Sequence, residues 1–196
     1  MLNNRTEIWL VRHGQTDWNV DGRYQGQADM PLNEIGEMQA RDLAKKIKEI
    51  DFDAIYSSDL RRALATAQIL AGDREVKVDP RLREIHQGVW EGQLFSDIRR
   101  QYADFFENRK QNPLESRPPG GETLQEVAER VKACVDEITN RHPGKRVLIV
   151  SHGLVIATLV AAAKGFPLSQ AFELIPGNAE PQIIFWPPVR NEKTKR

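Results

Sequence analysis

Two short apolar runs, each closing on a histidine and a glycine, constrain this chain more than any other feature. I-W-L-V at Ile8 to Val11 stops on Arg12, His13 and Gly14, and V-L-I-V at Val147 to Val150 stops on Ser151, His152 and Gly153. Apolar runs of this length without polar alternation suit strands buried on both faces, the habit of parallel sheets covered by helices. Ligands of such sheets gather at the carboxyl ends of the strands, so both histidines fall where chemistry is done.

The segments between these runs alternate in the same way. Asn33 is an N-cap candidate for an amphipathic helix with Ile35, Met38, Leu43, Ala44, Ile47 and Ile50 at helical intervals. Phe52 to Ser58 reads as a strand, and Asp59 as the cap of a helix reaching about Ala71, with Arg61 and Arg62 in its first turn. A short strand at Val76 to Val78, a helical stretch from Phe95 to about Lys110, a strong helix from Glu122 to about Asn140 capped near Thr123, and a small-residue helix from Leu154 to Ala163 follow. Gln182 to Trp186 is expected as a last strand, antiparallel at an edge. The expectation is an α/β fold: a three-layer α/β/α sandwich with a mainly parallel sheet and a short lid insertion at about 92–121 over the strand C-terminal ends. One domain over 1–188 and a disordered tail at 189–196 are expected.

Lys and Arg total 28 and so do Asp and Glu, so no overall field favours nucleic acid or an anionic membrane. The amino-terminal M-L-N-N-R-T-E has no apolar stretch, and no run is long enough to span a bilayer; a soluble, cytoplasmic protein is expected. The single cysteine, Cys134, excludes an internal disulfide framework and a thiolate cluster. It borders the apolar face of Leu124, Val127, Val131, Val135 and Ile138, where a small packing residue belongs.

Arg12, His13, Arg62, Glu84 with His86, and His152 all follow strands. Gathering such groups in one cleft is costly, because arginines repel and burial penalises each charge. A phosphoryl group resolves the conflict, since guanidinium forks pair with its oxygens and offset its charge.

Five stretches together carry a resemblance: R-H-G-Q-T-D-W-N at 12–19, S-S-D-L-R-R-A-L-A-T-A at 57–67, L-R-E-I-H-Q-G-V-W-E-G at 82–92, G-G-E-T at 120–123 and V-S-H-G at 150–153. In this order they resemble the histidine phosphatase superfamily, also called phosphoglycerate mutase-like. The resemblance implies that His13 is the nucleophile, that Arg12, Arg62 and His152 surround the phosphoryl oxygens, and that Glu84 is the proton donor. It also implies that Asn19, Gln25, Gly26 and the backbone at Gly153 and Leu154 line the phosphate or substrate pocket. No metal and no cofactor are implied, and the partner is a small phosphorylated metabolite. Physical chemistry supports these roles: a neutral imidazole attacks without first losing a proton, provided its other nitrogen is held, for instance by a backbone carbonyl.

Within the family, the pattern is similar to broad-specificity phosphatases of the PhoE type and to α-ribazole phosphatases. The 92–121 insertion is short, an Arg-Arg pair is missing from its later part, and Gln25-Gly26 stands where mutases commonly have Ser-Gly, so hydrolysis is favoured over phosphoglycerate mutase activity. Fructose-2,6-bisphosphatase-like activity shares the same core motifs. Phe95, Tyr102, Phe105 and Phe106, with Arg109 and Lys110 nearby, suggest a partly apolar, partly positive pocket. A metal hydrolase using His13, His152, Glu84 and His86, and a silent phospho-ligand binder, are the alternatives. Trp18 and Trp90 are expected as packing residues, Arg61 as solvated, and His86 as a support of its loop. Oligomeric state is not legible in the sequence.

Overall fold

The computed structural model describes residues 5–189. The tail expected to be disordered falls, from residue 190 onward, outside the described residues. Five strands, β1 (Thr6–Arg12), β2 (Ala54–Ser57), β3 (Lys77–Val78), β4 (Arg146–Ser151) and β5 (Pro181–Trp186), form one sheet in the order β3-β2-β4-β1-β5. Four are parallel and β5 runs antiparallel to β1 at the edge, as the sequence suggests.

Alternation along β4 divides the core. Val147 and Ile149 point to one face, against α6 (Leu124–Arg141) and α7 (Gly153–Lys164). Leu148 and Val150 point to the other, against α2 (Glu34–Lys46) and α3 (Arg61–Ala71). Both faces are covered, hence the uninterrupted apolar run. Cys134 is fully buried on α6, and burial pushes its thiol up to about 12, which makes it a packing residue rather than a nucleophile.

Several helix ends follow local rules. Asn33 Oδ1 accepts the Gly36 N–H at 2.9 Å, and Thr123 forms a capping box with Glu126. Three details differ from expectation. A five-residue helix, α1 (Asp17–Asp21), follows the loop after β1, closed by a capping box between Thr16 and Asn19. Ile35 and Met38 are about half exposed, because α2 turns Ala40, Leu43 and Ile47 inward. Asp59 does not cap α3: its carboxylate is engaged by the Arg83 guanidinium, and Asp29, from a distant loop, accepts the Arg61 N–H at 2.7 Å.

The lid consists of α4 (Phe95–Gln101) and α5 (Ala103–Gln111). Its core is separate from the sheet's: Trp90, Ile98 and Phe106 with Tyr24, Tyr102 and Phe105. Trp90, fully buried as expected of a packing residue, has Phe105 edge-on at 4.8 Å and Phe106 stacked at 5.7 Å. Trp18 is half-buried against Gly92, which leaves 3.1 Å between the indole and any Cβ there. No helix among the described residues is long and apolar enough to cross a membrane.

Candidate active site

The tip of β1 is pinned from three sides. His13 N–H donates to Ser151 O at 3.0 Å, the Gly14 N–H to Thr66 Oγ1 at 3.0 Å, and Asn178 Nδ2 to His13 O at 2.9 Å. Gly14 approaches α2 so closely that a Cβ would stand 2.3 Å from the Gly36 carbonyl oxygen, so glycine is required for the loop to lie there.

These restraints set the imidazole. His13 Nδ1 lies 2.7 Å from Gly14 O, an acceptor only, so Nδ1 carries the proton and Nε2 the lone pair. Arg62 Nε donates to that lone pair at 3.3 Å. Arg62 is fully buried, with its terminal nitrogens donating to Ala28 O and Gly26 O at 2.7 Å each. Burial lowers its pKa to about 10, leaving it charged at neutral pH. Gly26 serves as backbone here: its φ is +51° and a Cβ would meet Glu91 Oε1 at 2.2 Å.

His152 stands behind His13, fully buried, with ring centroids 5.2 Å apart. Ser58 Oγ accepts the Leu60 N–H and sits 2.9 Å from His152 Nε2. With the hydroxyl proton given to Nε2, the imidazole proton sits on Nδ1, a buried atom without a hydrogen-bond partner among the described residues. Arg12 Nε is likewise buried without a partner among the described residues, while its Nη1 donates to Pro176 O at 2.8 Å. Two unspent buried nitrogens beside the uncharged His13 ring suit an anionic acceptor.

Burial first, and then the Arg62 cation, push both histidines well below the ordinary imidazole value. Their charge-free state has a thermodynamic signature. The unfolded chain takes up protons near pH 6.5 while the folded chain does not, so stability present above pH 6.5 is lost as the pH falls. The unfolding free energy should drop between pH 6.5 and 5, above the range where carboxylates titrate, by up to about 1.4 kcal/mol per histidine per pH unit, and the urea midpoint should fall with it. A midpoint constant over that window would contradict neutral His13 and His152.

Glu84 reaches the site from the loop after β3. Its Oε1 accepts the Ile85 N–H at 2.9 Å and its Oε2 the Leu154 N–H at 3.2 Å, which ties it to the first turn of α7. Neither adjacent arginine pairs with it: Arg81 binds Asp79 and Glu137, and Arg83 binds Asp59. The loop is braced by Arg130, which donates to the carbonyls of Arg81, Arg83 and Glu84 and pairs with Glu122, whose Oε2 also takes the His86 N–H. Glu122 thus does more than open a helix. The His86 ring is partly exposed and 3.7 Å from Glu91, so it supports the loop rather than facing His13.

A cleft of about 320 Å³ opens over His13. Arg12, Arg62 and Glu84 line it, and Asn19, Gln25, Gly26, Gly153 and Leu154 join them; His152 stays behind the wall. Asn19 spends its amide oxygen on the capping box, so Nδ2 is the donor it retains. Gly153 opens α7, whose N-terminal dipole adds positive potential; a Cβ there would stand 2.8 Å from the Ile175 side chain. Arg61 is exposed, as expected. From the lid only Phe95 and Arg109 reach the cleft, where Phe172 faces them. Tyr102, Phe105 and Phe106 instead fill the lid's own core, and Lys110 turns away to pair with Glu107. Sequence reasoning missed Ser58, Thr66, Arg130, Asn178 and Phe172; Thr66 and Ser58 lie inside the quoted S-S-D-L-R-R-A-L-A-T-A motif, whereas the other three have no motif to mark them.

Basic groups gathered around one uncharged imidazole, at the carboxyl edge of a parallel sheet, suit a phosphoryl group, and the class this defines is an enzyme that handles phosphate esters. The comparisons name the family. A model of the histidine phosphatase superfamily (branch 1) matches residues 8–192, and the chain belongs to that superfamily. It is 37% identical over 163 residues to the Escherichia coli protein named "Probable phosphoglycerate mutase GpmB", covering 82% of this chain and 76% of that one. A mycobacterial glucosyl-3-phosphoglycerate phosphatase solved with VO3 is 36% identical with a TM-score of 0.82, covering 90% of this chain and 91% of the other. The α-ribazole phosphatase of Shigella flexneri is 30% identical with a TM-score of 0.81, covering 90% and 89%.

Proposed function

We propose that this protein is a metal-independent phosphate monoester hydrolase that acts on small phosphorylated metabolites in the cytoplasm, within one domain spanning 1–188, through a phosphohistidine at His13. The observation that carries this reading is the held tautomer: Nδ1 committed to Gly14 O, Nε2 left with its lone pair toward Arg62. Substrate phosphate takes over the Arg62 Nε donor and the unspent donors of Arg12 and His152. The Nε2 lone pair then attacks phosphorus, the P–O ester bond breaks, and the departing oxygen takes the proton of Glu84. Charge spread over the equatorial oxygens is met by fixed donors in a water-poor cleft. Water next attacks the phosphohistidine, gives its proton to Glu84, and the P–N bond breaks to restore the imidazole and the acid. Asn19, Gln25, Gly26, Gly153 and Leu154 hold phosphate and leaving group.

Names among the relatives favour both phosphatase and mutase activity. The short lid supports hydrolysis, because mutation of position within one substrate requires the departing alcohol to be kept and turned. The test is a screen of phosphate monoesters in the presence of excess chelator, with 3-phosphoglycerate included with and without bisphosphoglycerate. Release of inorganic phosphate unaffected by chelator is expected. Loss of turnover restored by zinc would favour the metal hydrolase, and conversion of 3-phosphoglycerate to its 2-isomer would favour the mutase.

A further inference from the structure

Four arginines line the catalytic cleft, and of these four only Arg23 has an ion-pair partner among the described residues, Asp21 at 3.1 Å. Arg12 and Arg62 are taken up by the phosphoryl site. Arg109 is left over. It projects from α5, and its Cζ lies 4.8 Å from the ring centroid of Phe106 and 4.7 Å from that of Phe172, so it is held between the lid and the body of the protein. Aromatic faces steady a guanidinium, yet they offer its forked N–H donors no oxygen to bind. The charged or polar groups that act on it are Tyr24 and Arg99, and among the described residues it forms no ion pair with a carboxylate.

The wall that Arg109 forms is shared. Phe95, Arg109 and Phe172 also border an adjoining cleft of about 400 Å³, where Arg99 and Lys110 join Arg109 against the single acid Glu173. A half-buried cation without a counter-ion, placed between two aromatic-walled spaces and open to both, fits a ligand that brings its own negative charge.

The geometry points to a second-anion subsite at Arg109: the preferred substrates carry, besides the phosphate attacked by His13, a carboxylate or a second phosphate on a leaving group that reaches past Phe95 and Phe172. This rests on the phosphatase reading and narrows its substrate class. A purely structural role for Arg109, clamping lid to body through the two rings, predicts equal effects on every substrate.

Rigid aryl esters separate these outcomes. Phenyl phosphate, 3- and 4-carboxyphenyl phosphate and 1,4-phenylene bisphosphate share a leaving-group skeleton, and glycerol 3-phosphate against 3-phosphoglycerate adds an aliphatic pair. The wild-type protein should show kcat/KM at least tenfold higher for one or more anionic members than for the neutral one, and added salt should shrink the ratio. The carboxylated and bisphosphate arms tell which anion is preferred. Arg109→Met, which keeps the stem between the rings, should abolish the preference, lowering kcat/KM at least tenfold more for the anionic esters than for phenyl phosphate and glycerol 3-phosphate; Arg109→Lys should retain part of it. Equal loss on all esters would assign Arg109 to clamping, and a wild type without anionic preference would overturn the subsite. If no ester is hydrolysed and no phosphohistidine forms, the phosphatase reading itself fails, a result distinct from hydrolysis without preference.

Discussion

The His13→Ala variant will lose phosphatase turnover by a factor on the order of 10⁴ or more, the scale on which removal of a nucleophile is felt. The argument rests on what surrounds the ring. Arg12, Arg62 and His152 remain in the variant, so phosphate should still bind; the lone pair that forms the P–N bond is gone. The wild type quenched during turnover should carry an acid-labile, alkali-stable phosphate, and the variant none. Because His13 is almost wholly buried, its removal also opens a cavity, so binding of phosphate or vanadate by the variant is the control for folding. A variant that keeps turnover, or a labile phosphate on another residue, would refute the mechanism.

Glu84→Gln will separate substrates by leaving group. Glutamine keeps the shape and an acceptor for the Leu154 N–H, but it neither gives nor takes a proton. A positioned acid contributes about 10²–10⁴-fold, and the need is greatest when an alkoxide departs. kcat/KM, which reports steps through ester cleavage, should therefore fall by about 10²-fold or more for glycerol 3-phosphate and far less for 4-nitrophenyl phosphate, whose phenolate leaves unaided. The second half-reaction lacks its base with either substrate, so phosphohistidine should accumulate and 4-nitrophenol should appear as a burst. Equal losses for both esters, with no burst, would show that Glu84 is not the acid.

Much of this was legible along the chain because the determining forces are local. Strand burial on both faces writes itself as V-L-I-V, and Asn33 and Thr123 cap helices through bonds three residues away. The same logic failed at Asp59. Its position before α3 suits a cap, but Arg83, from a loop 24 residues on, holds the carboxylate, and Asp29 supplies the cap instead. It failed again in the lid, where the spacing of Tyr102, Phe105 and Phe106 announces an apolar face without saying whether that face meets substrate or Trp90.

The sequence by itself determined the class of fold, the edge of the sheet at which the candidate site lies, and most of the residues that meet there, because strand periodicity and the five motifs depend on neighbours in the chain. Only the tertiary structure decided which nitrogen of His13 bears the proton, why His152 and Arg12 have donors to spare, that Arg130 holds the Glu84 loop, and that Arg109 stands between Phe106 and Phe172. Those depend on a carbonyl, a hydroxyl or a ring brought in from far along the chain. Hydrogen bonds and desolvation act over a few ångströms of space, whatever the separation in sequence.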